Sequence, residues 1–121
     1  MEIKWKELKK PFKVFGSRYT GITLFPYIFI YLGNKTKRQI AVLKNHEMIH
    51  AAQVTEQGIV SWYWKYIMSY LKNILGGYFS KKGMNHRQAY HAIPYEKEAY
   101  ANQDNLKYLE TREEHAWKKY K

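Results

Sequence analysis

Two histidines and a glutamate form the part of this sequence best suited to chemistry. His46, Glu47 and His50 occur as His-Glu-x-x-His, inside a segment whose apolar spacing predicts a helix over residues 39–57. Residues four apart lie one turn apart on the same helix face, so both imidazoles can reach one metal ion. The Glu47 side chain projects about 100° further round the helix, beside the metal-bound water, where a general base belongs. The spacing therefore predicts a metal site with Glu47 as its catalytic base.

A catalytic zinc ion takes three protein ligands, so a third must be found elsewhere in the chain. Glu56 stands where the metzincin pattern would require a third histidine. The ligand must then come from a later element, and the strongest carboxylate cluster is in a helix predicted over residues 94–110. Glu96 and Glu98 are both candidates there, and their side chains project about 200° apart, so only one can be a ligand. The residues alone leave both candidates open.

The two motifs together resemble the gluzincin class of zinc metallopeptidases, whose third ligand is a glutamate in a later helix. The first motif is residues 46–50 followed by Gln53, which reads H-E-x-x-H-x-x-Q. The second is residues 96–99, which reads E-x-E-A, and the pair is similar to that of small, largely uncharacterised bacterial proteins. The resemblance extends over residues 20 to about 110, but only the two motifs are specific.

This resemblance implies a zincin-like site with one zinc ion and a peptide or protein substrate. It implies His46, His50 and Glu96 as the metal ligands. Glu98, which begins a competing E-x-x-A register at residues 98–101, is the fallback third ligand. Tyr100 stands where gluzincins often carry an aspartate that orients a ligand histidine. We therefore expect the orientation of the ligands to differ from that pattern.

Three further residues are candidates for stabilising an oxyanion or orienting a ligand, namely Tyr100, His91 and Asn102. Tyrosine and histidine often stabilise the negative charge that develops on a carbonyl oxygen. Asn102 can accept a hydrogen bond from an imidazole N–H. We expect His86 to be a surface loop residue and His115 to be solvated.

The elements that must position these residues predict a single α+β domain over residues 1–121. A small N-terminal antiparallel sheet is expected from residues 12–33, which are rich in β-branched and aromatic types. Residues 22–31 within it could serve as an edge strand that pairs with a substrate backbone. A mainly helical, metal-binding portion follows, with an amphipathic helix over residues 59–75 and a loop over 78–92. Residues 1–11 are expected to be a basic arm, and 111–121 a basic tail.

Composition narrows the function classes further. The chain has 121 residues, a net charge of +11 and no cysteine, which excludes disulfides, thiolate metal sites and a cysteine nucleophile. Its charged N-terminus is unlike a signal peptide, so we expect a cytoplasmic protein, with peripheral membrane association open. The preferred function is a zinc-dependent metallohydrolase that acts on peptides. The alternatives are a catalytically inactive metal-binding protein and a basic module that binds nucleic acid or an anionic membrane surface.

Overall fold

The computed structural model describes residues 3–10, 12–14, 17–19, 21–80 and 84–121. Short strands come first and helices follow, so the α+β prediction is confirmed. The strands are β1 (Lys4–Leu8), β2 (Phe12–Val14), β3 (Ser17–Tyr19), β4 (Gly21–Leu24) and β5 (Tyr27–Tyr31). The helices are α1 (Lys37–Gln57), α2 (Ile59–Ser80), α3 (His86–His91), α4 (Pro94–Asn102) and α5 (Tyr108–Thr111), and a 3-10 helix covers Ala116–Tyr120.

The main sheet is mixed, whereas the sequence predicts an antiparallel one. Its strand order is β1-β5-β4, in which β4 pairs antiparallel with β5 and β1 pairs parallel with β5. The strands β2 and β3 form a separate antiparallel pair. The parallel pairing arises because the basic segment 1–11 contributes β1 instead of forming a loose arm. The chain between β1 and β5 is long enough to make the crossover that a parallel pair requires.

Strand β1 is difficult to predict from the sequence because three of its five residues are charged. All three of its charged residues are exposed, whereas Trp5 and Leu8 are half-buried. These two apolar residues are three positions apart and therefore point to opposite faces of the strand, so they produce no alternating pattern. Its pairing with β5 supplies the rest of its stabilisation, and such a long-range interaction is not visible in local residue types.

Helix α1, which carries His46 and His50, has clear start and stop residues. Thr36 and Gln39 form a capping box, in which each side-chain oxygen accepts a hydrogen bond from the other residue's backbone N–H. The helix ends at Gly58, whose φ of 88° favours glycine and whose N–H donates to the Val54 carbonyl. The helix predicted over residues 39–57 is therefore confirmed, with two further residues at its start.

Helix α2 begins directly after Gly58 and extends further than predicted. It continues through Gly76 and Gly77 to Ser80, whereas the sequence predicts an end at residue 75. A helical glycine costs about 1 kcal/mol relative to alanine, which weakens a helix without necessarily ending it. In the part of the chain that the structure describes, no helix is both long and apolar enough to cross a membrane.

The predicted helix over residues 94–110 is divided into α4 and α5 by a turn at residues 103–107. The side-chain amide of Asn45, on α1, donates to the backbone carbonyls of Gln103 at 2.8 Å and Asn105 at 3.0 Å. These bonds hold the turn against α1. In a continuous helix, the same carbonyls would instead accept hydrogen bonds from backbone N–H groups four residues later. The segment predicted as a basic tail contains the 3-10 helix Ala116–Tyr120, in which Trp117 is buried.

The hydrophobic core lies beside the histidine face of α1. Its buried members are Val54, Trp62, Ile93, Tyr95 and Trp117. The rings of Trp62 and Tyr95 stack with centroids 5.4 Å apart, and Trp62 meets the His50 ring edge-on at 5.7 Å. The packing that holds α1, α2 and α4 together therefore also encloses the candidate site.

Candidate metal centre

Three side-chain atoms from α1 and α4 converge on one point. His46 Nε2 and His50 Nε2 each lie 3.1 Å from Glu96 Oε1, and the two nitrogens are 3.2 Å apart. The three residues are buried, with 3–5% of their surfaces exposed. They form the one group of three potential ligands found within the described residues. The structure thus brings together the two histidines and the first of the two candidate glutamates.

The local sequence explains how these side chains meet. His46 and His50 lie one turn apart on the buried face of α1, so their imidazoles project in the same direction. Glu96 lies in the first turn of α4, which begins at Pro94, a residue suited to that position. Because α4 packs across α1, the Glu96 carboxylate reaches both rings.

The hydrogen bonds of the imidazole Nδ1 atoms determine which ring nitrogens face the centre of the triangle. His46 Nδ1 donates to the side-chain oxygen of Gln103 at 2.8 Å, and His50 Nδ1 donates to that of Gln53 at 2.9 Å. A neutral imidazole with its hydrogen on Nδ1 presents a lone pair at Nε2. Two such lone pairs and a carboxylate oxygen then face one another at 3.1–3.2 Å. A proton or a metal ion among them removes the repulsion.

Gln53 fixes the orientation of His50 unambiguously. Its amide nitrogen donates to the Tyr95 carbonyl at 3.1 Å and to Glu98 Oε1 at 2.9 Å, so its oxygen must be the atom that faces His50. The same oxygen accepts from Trp62 Nε1 at 3.2 Å. Gln53 is fully buried and all its polar atoms are paired. The glutamine of the H-E-x-x-H-x-x-Q motif is therefore a positioning residue for the second histidine.

Two more positioning residues were not predicted from the sequence. The Tyr66 hydroxyl, on α2, donates to Glu96 Oε2 at 2.7 Å and leaves Oε1 for the histidines. Gln103, in the turn after α4, accepts from His46 as described. In the sequence Tyr66 looks like one more aromatic residue in an apolar stripe, and nothing marks Gln103. Each of the three candidate ligands thus has an outer partner, as metal ligands usually do.

The electrostatics of the site favour positive charge. Burial lowers the pKa of His50, but the charge and hydrogen bond of Glu96, with the charge of Glu47, outweigh it and raise the pKa to about 9. Burial raises the pKa of Glu96, but the two imidazoles outweigh it, so its pKa lies well below the usual range. Burial and the negative charge of Glu96 raise the pKa of Tyr66 well above 10, which keeps its hydroxyl protonated as a donor.

Glu98, the fallback ligand, lies in a different network. Its carboxylate accepts from Arg112 Nε at 2.6 Å, from the Tyr108 hydroxyl at 2.7 Å and from the amide of Gln53. Arg112 also forms an ion pair with Glu56. This fully buried carboxylate is therefore neutralised by arginine and does not belong to the histidine cluster.

Glu47 and Tyr100, two of the residues predicted to take part in the chemistry, both lie beside His46. Glu47 is buried beside His46 on α1, and its charge contributes to raising the pKa values of His50 and Tyr66. The Tyr100 ring packs edge-on against His46, with centroids 4.6 Å apart, and against His91 at 4.5 Å. Tyr100 thus contacts a ligand candidate through its ring, whereas the partner of His46 Nδ1 is a glutamine three residues later.

Asn102 and the remaining histidines lie outside the triangle. The Asn102 amide donates to the Glu98 carbonyl at 2.8 Å and to the Tyr120 hydroxyl at 2.9 Å, so it ends α4 and does not orient an imidazole. The Tyr70 hydroxyl and His86 Nδ1 are 2.6 Å apart, so His86, which we expected to be a surface residue, is held against α2. His115, which we expected to be solvated, has an ion-pair contact of 3.3 Å with Glu56.

The donor set and its dimensions fit zinc. Ligand atoms about 2.0 Å from a tetrahedral zinc ion are separated by about 3.3 Å, close to the edges of 3.1–3.2 Å found here. Two imidazoles and one carboxylate form a known set of catalytic zinc ligands, and no thiol is present to favour softer metals.

Comparisons with known proteins add no assignment. No protein-family model, curated protein or solved structure matches this chain. The resemblance to gluzincins therefore stays a prediction, and the functional argument depends on the geometry of the site.

Proposed function

We propose that this protein is a zinc-dependent metallohydrolase that acts on peptides. The observation that supports the proposal is the buried triangle of His46 Nε2, His50 Nε2 and Glu96 Oε1, whose edges match a tetrahedral zinc site. An outer partner for every ligand adds to this support, because orientation of the lone pairs is what such partners provide.

In the proposed mechanism, His46, His50 and Glu96 would hold the ion and Glu47 would carry the proton. Zinc bound by three such ligands supplies Lewis acidity, which lowers the pKa of water and polarises a carbonyl. Glu47 accepts the proton of the attacking water as general base and then delivers it to the departing amine as general acid. The buried environment of Glu47 keeps its carboxylate away from bulk solvent.

The sheet supports a peptide as the substrate. Strand β4 lies at one edge of the three-stranded sheet and contacts α1, the helix that carries the histidines. The backbone groups along an edge strand can pair with an extended peptide. A peptide bound in this way would lie beside α1, so that one of its carbonyls could approach the site.

Glu47→Gln tests this mechanism. The substitution keeps the shape and polarity of the side chain but removes the base, so zinc content should be unchanged while peptide cleavage falls about 10²- to 10⁴-fold. The assay is cleavage of a fluorogenic peptide library by the zinc-loaded full chain. Glu110→Gln is the matched control, because Glu110 is exposed on α5. Cleavage by Glu47→Gln at the rate of the unmodified chain would contradict the proposed role.

A metal-binding protein without turnover is the second candidate. It is favoured by Gln103, because an amide oxygen at His46 Nδ1 raises ligand basicity less than a carboxylate does. The Tyr100 ring also packs directly against His46. Stoichiometric zinc together with no cleavage of any library member supports this candidate over the hydrolase. The cytoplasmic location predicted from the sequence is compatible with both candidate functions and stays a prediction.

A further inference from the structure

Helix α2 presents an apolar face to solvent on the side opposite the metal site. Seven of the twelve exposed large apolar side chains in the described residues belong to this helix. Six of them form one stripe about 100° wide, by the helical repeat. We call it the outer face of α2, and it consists of Val60, Trp64, Ile67, Met68, Leu71 and Leu75.

The exposure of the outer face is large for such residues. Val60 is 83% exposed and Trp64 is 66% exposed. The opposite side of the same helix carries Trp62, which is buried in the core, and Tyr66, which contacts Glu96. Core packing therefore uses one side of α2 and leaves a second apolar side uncovered. Contiguous exposed apolar surface of this kind usually marks a binding site.

The charge around the outer face indicates an anionic partner. Residues 57–95 contain five lysines and arginines but no aspartate or glutamate. Two of them, Lys65 and Lys72, are exposed on α2 and lie on the same flank of the stripe. An apolar stripe flanked by lysine, with tryptophan among the aliphatic residues, is the pattern of a helix that lies in a membrane interface.

Two other occupants fit less well. A second copy of the chain would place two helices without acidic residues face to face, so their lysines would repel each other. Nucleic acid requires flat rings for stacking or polar groups for base edges, but five of the six side chains on the outer face are aliphatic or methionine. Lipid tails match such side chains, and acidic headgroups match the lysines.

We propose that the outer face of α2 binds the surface of anionic phospholipid membranes. The helix lies parallel to the membrane plane, with its apolar stripe among the upper acyl chains and its lysines at the phosphates. The protein is thereby attached peripherally, in agreement with the absence, within the described helices, of one able to cross a membrane. The inference uses no feature of the metal site, so it stands or falls independently of the proposed hydrolase activity.

Vesicle flotation of the full chain tests this proposal. Vesicles of phosphatidylcholine with about a quarter phosphatidylglycerol should bind the protein, whereas pure phosphatidylcholine vesicles should bind it at least tenfold less. The double variant Trp64→Gln with Leu71→Gln should reduce binding to the acidic vesicles at least tenfold. Lys72→Gln alone should reduce it about fivefold.

Matched controls separate loss of lipid contact from loss of structure. Leu24 and Leu106 are exposed outside α2, so Leu24→Gln with Leu106→Gln should leave binding unchanged. Unfolding midpoints of both double variants should equal that of the unmodified chain, because all four leucine and tryptophan side chains are exposed. As a second readout, binding should shift the tryptophan emission to shorter wavelength, and Trp64→Phe should remove that shift while binding persists.

Three results would overturn the proposal. The first is no binding to the acidic vesicles. The second is equal binding by the Trp64/Leu71 double variant, which would assign the attraction to charge elsewhere on the surface. The third is a dimer, detected by sedimentation, that dissociates in the double variant, since it would assign the outer face to a second copy of the chain.

Discussion

Replacing Gln53 with leucine tests whether this side chain orients His50 for metal binding or only fills space in the core. Leucine has nearly the same volume, so the fully buried site stays filled while every hydrogen bond of the amide is lost. The two donors that lose their acceptor are His50 Nδ1–H and Trp62 Nε1–H, which now lie 2.9 Å and 3.2 Å from the Gln53 oxygen. Glu98 keeps Arg112 and Tyr108 as partners.

The expected losses are of two kinds. A buried donor without an acceptor costs about 1–3 kcal/mol, so two of them should lower the free energy of unfolding of the metal-free protein by about 2–6 kcal/mol. Freeing the His50 ring should also weaken zinc binding about 10- to 100-fold, the usual effect of losing an outer partner of a metal ligand. That range corresponds to about 1.4–2.7 kcal/mol of binding free energy.

Urea denaturation of the metal-free protein measures the first loss, and competition with a chromophoric zinc chelator measures the second. Gln57→Leu is the matched control, because Gln57 lies one turn further along α1 and bonds to Tyr95 and Lys65 instead of a ligand. It should lose about 1 kcal/mol of stability and no zinc affinity. The reasoning is refuted if both variants bind zinc equally well. Should Gln53→Leu not fold, Gln103→Leu provides the same comparison at the half-buried partner of His46.

Other predictions concern the remaining partners of the site. Tyr66→Phe removes the hydroxyl that donates to Glu96 and should weaken zinc binding about tenfold in the chelator assay, whereas Tyr70→Phe, on the same helix but bonded to His86, should not change it. Arg112→Met leaves the Glu98 carboxylate buried without a cation and should lower the free energy of unfolding in urea by about 3–5 kcal/mol, whereas Lys119→Met at an exposed ion pair should have no measurable effect. Burial raises the pKa of Glu98, but its bonds with Arg112 lower the pKa by more, so this carboxylate binds a proton more tightly in the unfolded chain than in the folded one. The free energy of unfolding, measured by urea titration, should therefore be highest above the usual glutamate pKa of 4.5 and should fall as the pH drops below it. A stability of the unmodified chain that rises as the pH drops below 4.5 would contradict that assignment.

The parts of the site that are local in sequence could be predicted. Helix α1 follows from its apolar spacing, and the meeting of His46 and His50 follows from their four-residue spacing. The choice between Glu96 and Glu98 could not be made from spacing, because both residues are fully or almost fully buried in α4. Only the position of Arg112, far along the chain, places the second carboxylate in a separate ion pair.

The elements that depend on long-range contacts were missed. β1 is stabilised by its pairing with β5 and carries only two half-buried apolar residues, so its local sequence reads as a basic arm. The turn that presents Gln103 exists because Asn45, on α1, binds its carbonyls. No pattern within residues 94–110 reveals that bond, and a continuous helix was therefore predicted there. Tertiary hydrogen bonds of this kind override helical propensity.

The zinc content of the purified full chain, determined by elemental analysis after loading and dialysis, tests the central claim most directly. We expect about one zinc ion per chain, retained in Glu98→Gln and lost in His50→Ala and in Glu96→Gln, because the first of these two removes an imidazole from the triangle and the second removes the negative charge of its carboxylate. A chain that retains no zinc would contradict the account. So would a chain that loses its zinc in Glu98→Gln but keeps it in Glu96→Gln.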